Sequence, residues 1–351
     1  MTDAIRQSFR DQAAICEAMG APLTGQVLAL LAGLLDHDTA VGRALLDWAG
    51  DPAPGAEALA LRLAGGLHAL VLSGADPELA RAYAEGSEPG LAIALTTALR
   101  DRGADLLPWL GSPPQTNEVR RSAVLIAAGH WLAARFGLPF ILSELGASAG
   151  LNLIWDRYAL EVAGWRYGPS DAALVLSPEW RGAAPVPPDR IGTPPVIANR
   201  AGVDRSPLDP EADRLRLLAY LWAGQQDRIE RTRLAAAEAT RRGHRIERGD
   251  AGDWLESRLQ TQHRGHLHLI FHTVVWQYFP PDLQARCEGL LAAAGARATA
   301  EAPLAHLAME GDGQQPGAAL RLRIWPGGAT VDLGRADFHG RWVDWQAPPP
   351  D

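Results

Sequence analysis

A turn of small residues behind a short apolar segment carries the clearest chemical signal in this sequence. Residues 138–155 (LPFILSELGASAGLNLIW) predict a strand, a small-residue turn and then an apolar helix. Such a turn lets the backbone approach a ligand closely, and the free N–H groups of a helix start would face that ligand. Glu144, at the predicted strand end, would repel a dinucleotide pyrophosphate and favours a ligand with a cationic group.

The pattern from Glu144 to Gly150 (ELGASAG) resembles the first motif of Rossmann-like methyltransferases that use S-adenosylmethionine. Ser148 replaces the usual middle glycine. The resemblance implies that Glu144 faces the ammonium end of the cofactor, and that the backbone of Gly146, Ser148 and Gly150 closes on it.

Further segments of that fold occur in the expected order. By the resemblance, Asp204 would bind the ribose hydroxyls and Asp250 would contact the adenine amino group. The segment 271–280 (FHTVVWQYFP) sits where the fourth strand would end beside the transferred methyl. The interval from Gly150 to Asp204 is much longer than the roughly 20 residues of a simple Rossmann unit, which we attribute to an insertion at about 165–200.

Three segments also resemble an uncharacterised bacterial family, domain of unknown function 2332: ELGASAGLNLIWDRY from Glu144, GVDRSPLD from Gly202, and the His272 segment. This resemblance extends over nearly the whole chain. It implies a fold and no established substrate.

His272 ends a predicted strand at 267–272, where ligands gather in open α/β sheets, and an imidazole there is a candidate general base. Trp276 and Tyr278 are candidate walls of a small-molecule pocket, with ordinary packing as the alternative. A zinc site built from nearby histidines is the weaker hypothesis, because alternating His and Leu on one strand usually gives one polar face. The neighbouring histidines are His263, His266 and His268.

Two other interpretations of the turn stay open. The segment 146–150 also satisfies G-x-S-x-G, which would make Ser148 the nucleophile of an α/β-hydrolase-type esterase, with later acid and histidine pairs in suitable order. These pairs are Asp282 with His306 and Asp337 with His339. Alternatively, the turn only allows tight packing in a degenerate Rossmann-like binding or interaction protein without catalysis.

Composition excludes several function classes. The 351 residues contain no lysine, which excludes Walker A nucleotide loops, protein kinases and Schiff-base chemistry. The net charge is −8, and residues 1–115 hold 14 acidic residues against seven arginines, so we expect no nucleic-acid partner. Two cysteines are too few for a disulfide scaffold, and we expect neither a metal nor a membrane partner.

The elements that must position these residues follow from hydrophobic spacing. Residues 1–115 predict an all-helical domain, with apolar residues 27, 30, 31, 34 and 35 on one stripe, and the run 111–114 (GSPP) ends it. Residues 116–346 predict a Rossmann-like α/β domain with a doubly wound, mostly parallel sheet. Its predicted helices cover about 117–136, 211–241 and 281–294, and its predicted strands lie near 194–199, 267–272, 302–310, 319–325 and 329–337, with a short strand and turn at 244–251.

Taken with these features, the resemblance to methyltransferases implies a cytoplasmic enzyme that moves a methyl group from S-adenosylmethionine to a small-molecule acceptor. The helical domain would cover the cleft and carry acceptor specificity, or mediate formation of a homodimer. The start of the chain has no basic-then-apolar signal pattern, in keeping with that location.

Overall fold

A computed structural model describes residues 2–186, 194–243 and 245–350. The chain divides into a helical unit, Met1–Thr116 with Ala212–Arg233, and a sheet unit, Asn117–Glu211 with Leu234–Asp351. The first boundary adjoins the predicted one at residue 115. The segment 212–233, which we assigned to the second domain, instead clusters with the helical unit.

Local sequence explains how the helices begin and what they bury. In the helical unit, Asp76 caps a helix whose first residue is Pro77, and its carboxylate accepts a hydrogen bond from the Leu79 N–H group. Val27, Leu31 and Leu35 of the predicted stripe are buried in one core. The helices of the described residues are α1 (Thr2–Ala18), α2 (Pro22–Leu34), α3 (Ala40–Leu46), α4 (Leu59–Ser73), α5 (Pro77–Glu85), α6 (Glu88–Asp101), α7 (Gly103–Leu110), α8 (Ser122–Phe136), α9 (Arg214–Ala219), α10 (Gln226–Arg242), α11 (Ala251–Leu259) and α12 (Pro281–Arg297).

The sheet unit is built on a nine-stranded sheet and a separate three-stranded sheet. The strands are β1 (Phe140–Leu145), β2 (Ala159–Val162), β3 (Trp165–Tyr167), β4 (Val175–Leu176), β5 (Glu179–Gly182), β6 (Ile197–Asp204), β7 (Glu247–Arg248), β8 (Leu267–Thr273), β9 (Leu304–Glu310), β10 (Ala318–Trp325), β11 (Ala329–Ala336) and β12 (Trp342–Trp345). The large sheet has the order β5-β12-β11-β10-β9-β8-β1-β6-β7, and β2 pairs with β3 and β4 in the small sheet.

Parallel pairing runs without interruption from β7 through β6, β1 and β8 to β9. Numbered along the chain, these five strands have the order 3-2-1-4-5, which matches the first five positions of the classic doubly wound sheet. The strands β9 to β12 then form an antiparallel meander. The protein is therefore a mixed α/β protein with a large, mostly parallel central sheet.

The apolar helix that we predicted after Gly150 is wrong. Residues 151–154 form turns, and only a 3-10 helix at Trp155–Arg157 follows. Side chains occupy carbonyl groups that an α-helix would need: Tyr158 Oη donates to the Leu151 carbonyl at 2.8 Å, and Arg200 Nη1 donates to the Leu153 carbonyl at 3.0 Å.

Two further predictions change in detail. The single helix predicted at 211–241 is two helices, α9 and α10, separated by a turn in which Gly224 has a φ of +89°. The predicted insertion at 165–200 supplies β3 and β4 to the small sheet and β5 to the edge of the large one. Residues 187–193 of this insertion, and His244 of the short strand predicted from 244, lie outside the described residues.

None of the helices in the described ranges combines the length and the apolar character needed to cross a bilayer.

Candidate functional site

The order of the parallel strands reverses between β1 and β8, and ligands of open α/β sheets bind beyond the carboxyl ends of the strands at such a point. Leu145 of β1 and Ile270 of β8 pack in one core with α11 and α12. Because side chains alternate along a strand, His272 lies on that same face and Glu144 lies on the other. The structure therefore places these two candidate residues on opposite faces of the sheet.

Glu144 is a buried carboxyl group with an unfilled hydrogen-bonding capacity. Glu144 is only 2% exposed, and its Oε2 atom has no hydrogen-bond partner among the described residues. Burial raises the pKa of Glu144 well above its usual value, the negative charge of Asp204 raises it further, and Arg121 partly opposes both. A cationic ligand group next to Glu144 would lower this pKa again, because a nearby positive charge stabilises the ionised carboxylate.

Asp204 ends β6, next to β1, and holds the turn after β1 in place. Its Oδ2 accepts a hydrogen bond from the Ser148 N–H group at 2.8 Å, and its Oδ1 accepts one from Ser206 N–H, also at 2.8 Å. A carboxylate has about four acceptor positions, so capacity remains for ligand hydroxyl groups. The structure thus brings Glu144, Ser148 and Asp204 together.

The N–H groups of the turn are largely used inside the protein. Gly146 and Ala147 donate to the Val203 carbonyl at 2.9 and 3.0 Å, and Gly150 donates to Ala147 at 2.7 Å. This pattern leaves little for a phosphate group to bind, in contrast to the expectation of free N–H groups at a helix start. The hydrogen-bonding capacity that remains at this turn lies mainly on the carboxyl groups of Glu144 and Asp204.

Gly146 and Gly150 have φ values of +68° and +71°, a region that favours glycine. A Cβ atom on Gly146 would lie 2.3 Å from a Val275 methyl group, so glycine also permits close packing between the ends of β1 and β8. Ser148 and Val274 have φ values of +53° and +54° although they are not glycine. Strain of this kind concentrates at functional sites.

Asp250 caps α11. Its Oδ1 accepts hydrogen bonds from the N–H groups of Gly252 and Asp253 at 2.9 and 3.3 Å. It follows Gly249, whose N–H group donates to the backbone carbonyl of Asp204 at 3.1 Å. Asp250 is exposed near the end of β6, and the contact with adenine stays a prediction.

A second polar cluster lies on the α12 face of the sheet and contains His272. His272 Nδ1 lies 2.7 Å from Glu310 Oε1, His272 Nε2 lies 3.0 Å from His306 Nε2, and His306 Nδ1 lies 3.0 Å from Arg323 Nη2. Because arginine only donates, the network assigns the protons: Arg323 donates to His306, His306 donates to His272, and His272 donates to Glu310. Both imidazoles are neutral in this arrangement.

This cluster lines an open pocket of about 540 Å³. Trp276 forms part of its wall and stacks on His272 with 4.7 Å between ring centroids. Tyr278, our other candidate wall residue, is 74% exposed and does not belong to the lining. Burial lowers the pKa of His306 well below its usual value, and the nearby His272 and Arg323 lower it further.

The histidines that precede His272 along the chain have separate environments. His268 is buried and within 2.9 Å of Ser143 Oγ; burial lowers its pKa to about 3, helped by Arg258 and His263. His266 is exposed. Over the described residues, no group of three or more His, Cys, Asp or Glu side chains is arranged to hold a metal ion.

Sequence reasoning missed most of the residues around His272. It weighed His306 only as a triad member and did not single out Glu310, Arg321 or Arg323. The available signal was that the polar residues within 304–310 (LAHLAME) and 318–325 (AALRLRIW) are separated by even intervals, which puts those of each strand on one face.

The fold and the site define a mixed α/β protein with a glycine-containing turn at the point where the strand order of its central sheet reverses. The chain belongs to the bacterial family described as "Uncharacterized protein conserved in bacteria (DUF2332)", which matches residues 6–345. Among curated proteins, none matches this chain.

Proposed function

We propose that the sheet unit binds S-adenosylmethionine and transfers its methyl group to a small molecule. One observation carries the proposal: the buried Glu144 carboxyl group has a partnerless oxygen beside Asp204, at the point where the strand order reverses. Two neighbouring carboxyl groups, of which Glu144 is buried, favour the binding of a cation between them. The small-residue motif of residues 144–150 adds the resemblance to methyltransferases.

The residues around the turn fit the cofactor at its polar groups. Glu144 would bind the ammonium group, and Asp204 would accept hydrogen bonds from ribose hydroxyls through its remaining acceptor positions. Asp250 Oδ2, which is not used in capping α11, would accept from the adenine amino group. The cofactor would supply a methyl group activated by its sulfonium sulfur.

Catalysis in this proposal rests on alignment. Displacement at a methyl carbon needs the acceptor atom and the methyl group held in line, and positioning alone contributes a large part of such a rate enhancement. His272 faces away from Glu144, so we do not assign it as the base for this reaction.

The esterase hypothesis has less support. A serine nucleophile needs a histidine within hydrogen-bond distance, whereas Ser148 Oγ is buried and has no partner among the described residues. His306 is engaged with His272 and Arg323. The packing hypothesis is supported by the contact between Gly146 and Val275, but it does not explain a buried carboxyl group without a partner.

Calorimetry with S-adenosylmethionine and S-adenosylhomocysteine, run beside a screen with aryl ester substrates, tests the proposal. Binding of both adenosyl compounds with no ester hydrolysis is the expected result. Ester hydrolysis that Ser148→Gly abolishes, without adenosyl binding, would establish the esterase instead. Absence of both activities would favour the ligand-free packing interpretation.

A further inference from the structure

The pocket beside His272 is a cavity on the sheet face opposite Glu144. Its volume of about 540 Å³ lies within the usual range for small-molecule sites, roughly 300–1,000 Å³. It is lined by residues of β8, β9, β10, β11 and α12, all in the sheet unit. Ligand binding in this pocket would not depend on methyl transfer around Glu144.

Two arginines give the pocket its capacity to bind an anion. Arg321 and Arg323 alternate on β10 and therefore share a face. Within the described residues, Arg321 is paired only with Asp312 at 3.6 Å, and Asp312 is already held by two bonds from Arg335. The Arg321 side chain is 60% exposed, so its planar guanidinium can take a carboxylate in two-point contact.

The acidic residues of the lining restrict the charge of the ligand. Glu288, Glu310 and Asp312 outnumber the two arginines. They would repel a phosphate dianion more strongly than a carboxylate monoanion. Trp276 offers a flat apolar wall that suits the organic part of such an acid.

The contacts of His272 and His306 imply that an anion bound in this pocket would change the protonation of His306. An added proton has no place in the neutral network, because Arg323 donates to His306 Nδ1 and His306 donates to His272 Nε2. The charged groups near His306 are Arg323 from β10, Glu310 at the far side of His272, and Glu288, which pairs with Arg323 from α12 at 2.7 Å. An anion that draws Arg323 away frees His306 Nδ1 and favours the cationic imidazole.

We propose that this pocket binds a small carboxylic acid through Arg321 and Arg323, and that His306 takes up a proton from solvent on binding. The chain is then a receptor or enzyme for an organic acid at a site separate from the one around Glu144.

The test uses three aryl probes of the same ring with different charge: benzoate, benzamide and phenyl phosphate. Binding to the full chain is measured by calorimetry, and nitrogen NMR of the histidine side chains reports the tautomers of His272 and His306. We expect benzoate to bind at millimolar concentration, phenyl phosphate to bind at least several-fold more weakly, and benzamide not to bind. Benzoate should also convert His306 from the neutral to the cationic spectrum.

Arg321→Gln should weaken benzoate binding about tenfold, since a charge-assisted two-point contact is lost. Arg81→Gln, at a 65% exposed arginine of the helical unit, removes the same charge elsewhere and should have no effect. Calorimetry in two buffers of different ionisation enthalpy should show proton uptake for the wild type and none for His306→Gln. Equal binding of benzoate and benzamide, an unchanged His306 spectrum, or an Arg321→Gln variant that binds like the wild type would overturn the proposal.

Discussion

Glu144 costs the protein stability at neutral pH, because its carboxyl group stays buried without a hydrogen-bond partner for one oxygen. In the unfolded chain this group ionises near its ordinary pKa of 4.5, whereas burial and Asp204 raise the pKa in the folded state. Between these two pKa values the unfolded state releases a proton that the folded state retains. Stability therefore falls as pH rises above about 4.5.

Glu144→Gln removes this titration and should raise the melting temperature at pH 7.5 by a few degrees. At pH 4 the carboxyl group is mostly protonated in both states, so the difference should nearly vanish. Thermal unfolding at both pH values checks this, with Glu161→Gln as the control at an exposed carboxylate that is paired with Arg166. A Glu144→Gln variant that is less stable at pH 7.5 would show that Glu144 is held as an ion.

Ser148 is a second residue whose conformation conflicts with its type. A left-handed backbone costs a non-glycine residue about 1–2 kcal/mol, while glycine costs roughly 0.5–1 kcal/mol in chain entropy. Ser148→Gly should therefore leave the free energy of unfolding unchanged or raise it by up to about 1.5 kcal/mol.

Chemical denaturation measures this change. Ser257→Gly, at an exposed helical position of α11, is the matched control and should lose about 0.5–1 kcal/mol. The N–H group of residue 148 still donates to Asp204 in the glycine variant, so cofactor affinity should stay within a few-fold. A loss of stability equal to that of the control would mean that Ser148 is not strained.

At the scale of elements, α11 depends on Asp250 for its start. Asp250→Ala removes an N-cap and should cost about 1 kcal/mol of unfolding free energy. Asp250→Asn keeps the cap because asparagine is an equally good N-cap residue, and it removes only the negative charge.

The two variants separate the capping role of Asp250 from a role in binding. If Asp250 also accepts a hydrogen bond from the adenine amino group through Oδ2, both variants should bind S-adenosylhomocysteine more weakly, and only the alanine variant should be destabilised. Calorimetry and denaturation on the same samples measure both. An Asp250→Asn variant with unchanged affinity would leave Asp250 as a helix cap alone.

Elements with strong periodicity could be predicted from sequence, and those shaped by distant side chains could not. In the segments 267–272 and 281–294 the spacing of apolar residues alone indicates which side is buried. The predicted strand and helix therefore match β8 and α12 closely. The segment after Gly150 is equally apolar, but Arg200 and Tyr158 capture its carbonyl groups. Arg200 lies on β6, so no local pattern near residue 150 reveals that contact.

At the scale of the whole molecule, the sheet decides which candidate residues meet. Sequence placed Glu144 and His272 at neighbouring strand ends, and the register of β1 with β8 agrees. Alternation along the two strands then sends their side chains to opposite faces. One predicted site thereby becomes two: a carboxyl-lined turn around Glu144 and an arginine- and histidine-lined pocket around His272.

Calorimetry at pH 7.5 tests the role of Glu144 in cofactor binding, by comparing the affinity of S-adenosylhomocysteine for the wild-type protein, Glu144→Gln and Glu161→Gln. We expect the wild type and Glu161→Gln to bind equally well. Glu144→Gln should bind at least tenfold more weakly, because a charge-assisted hydrogen bond of about 1.5–3 kcal/mol is lost. Equal affinity of all three proteins, or no binding by the wild type, would contradict the assignment of Glu144 to the cationic end of the cofactor.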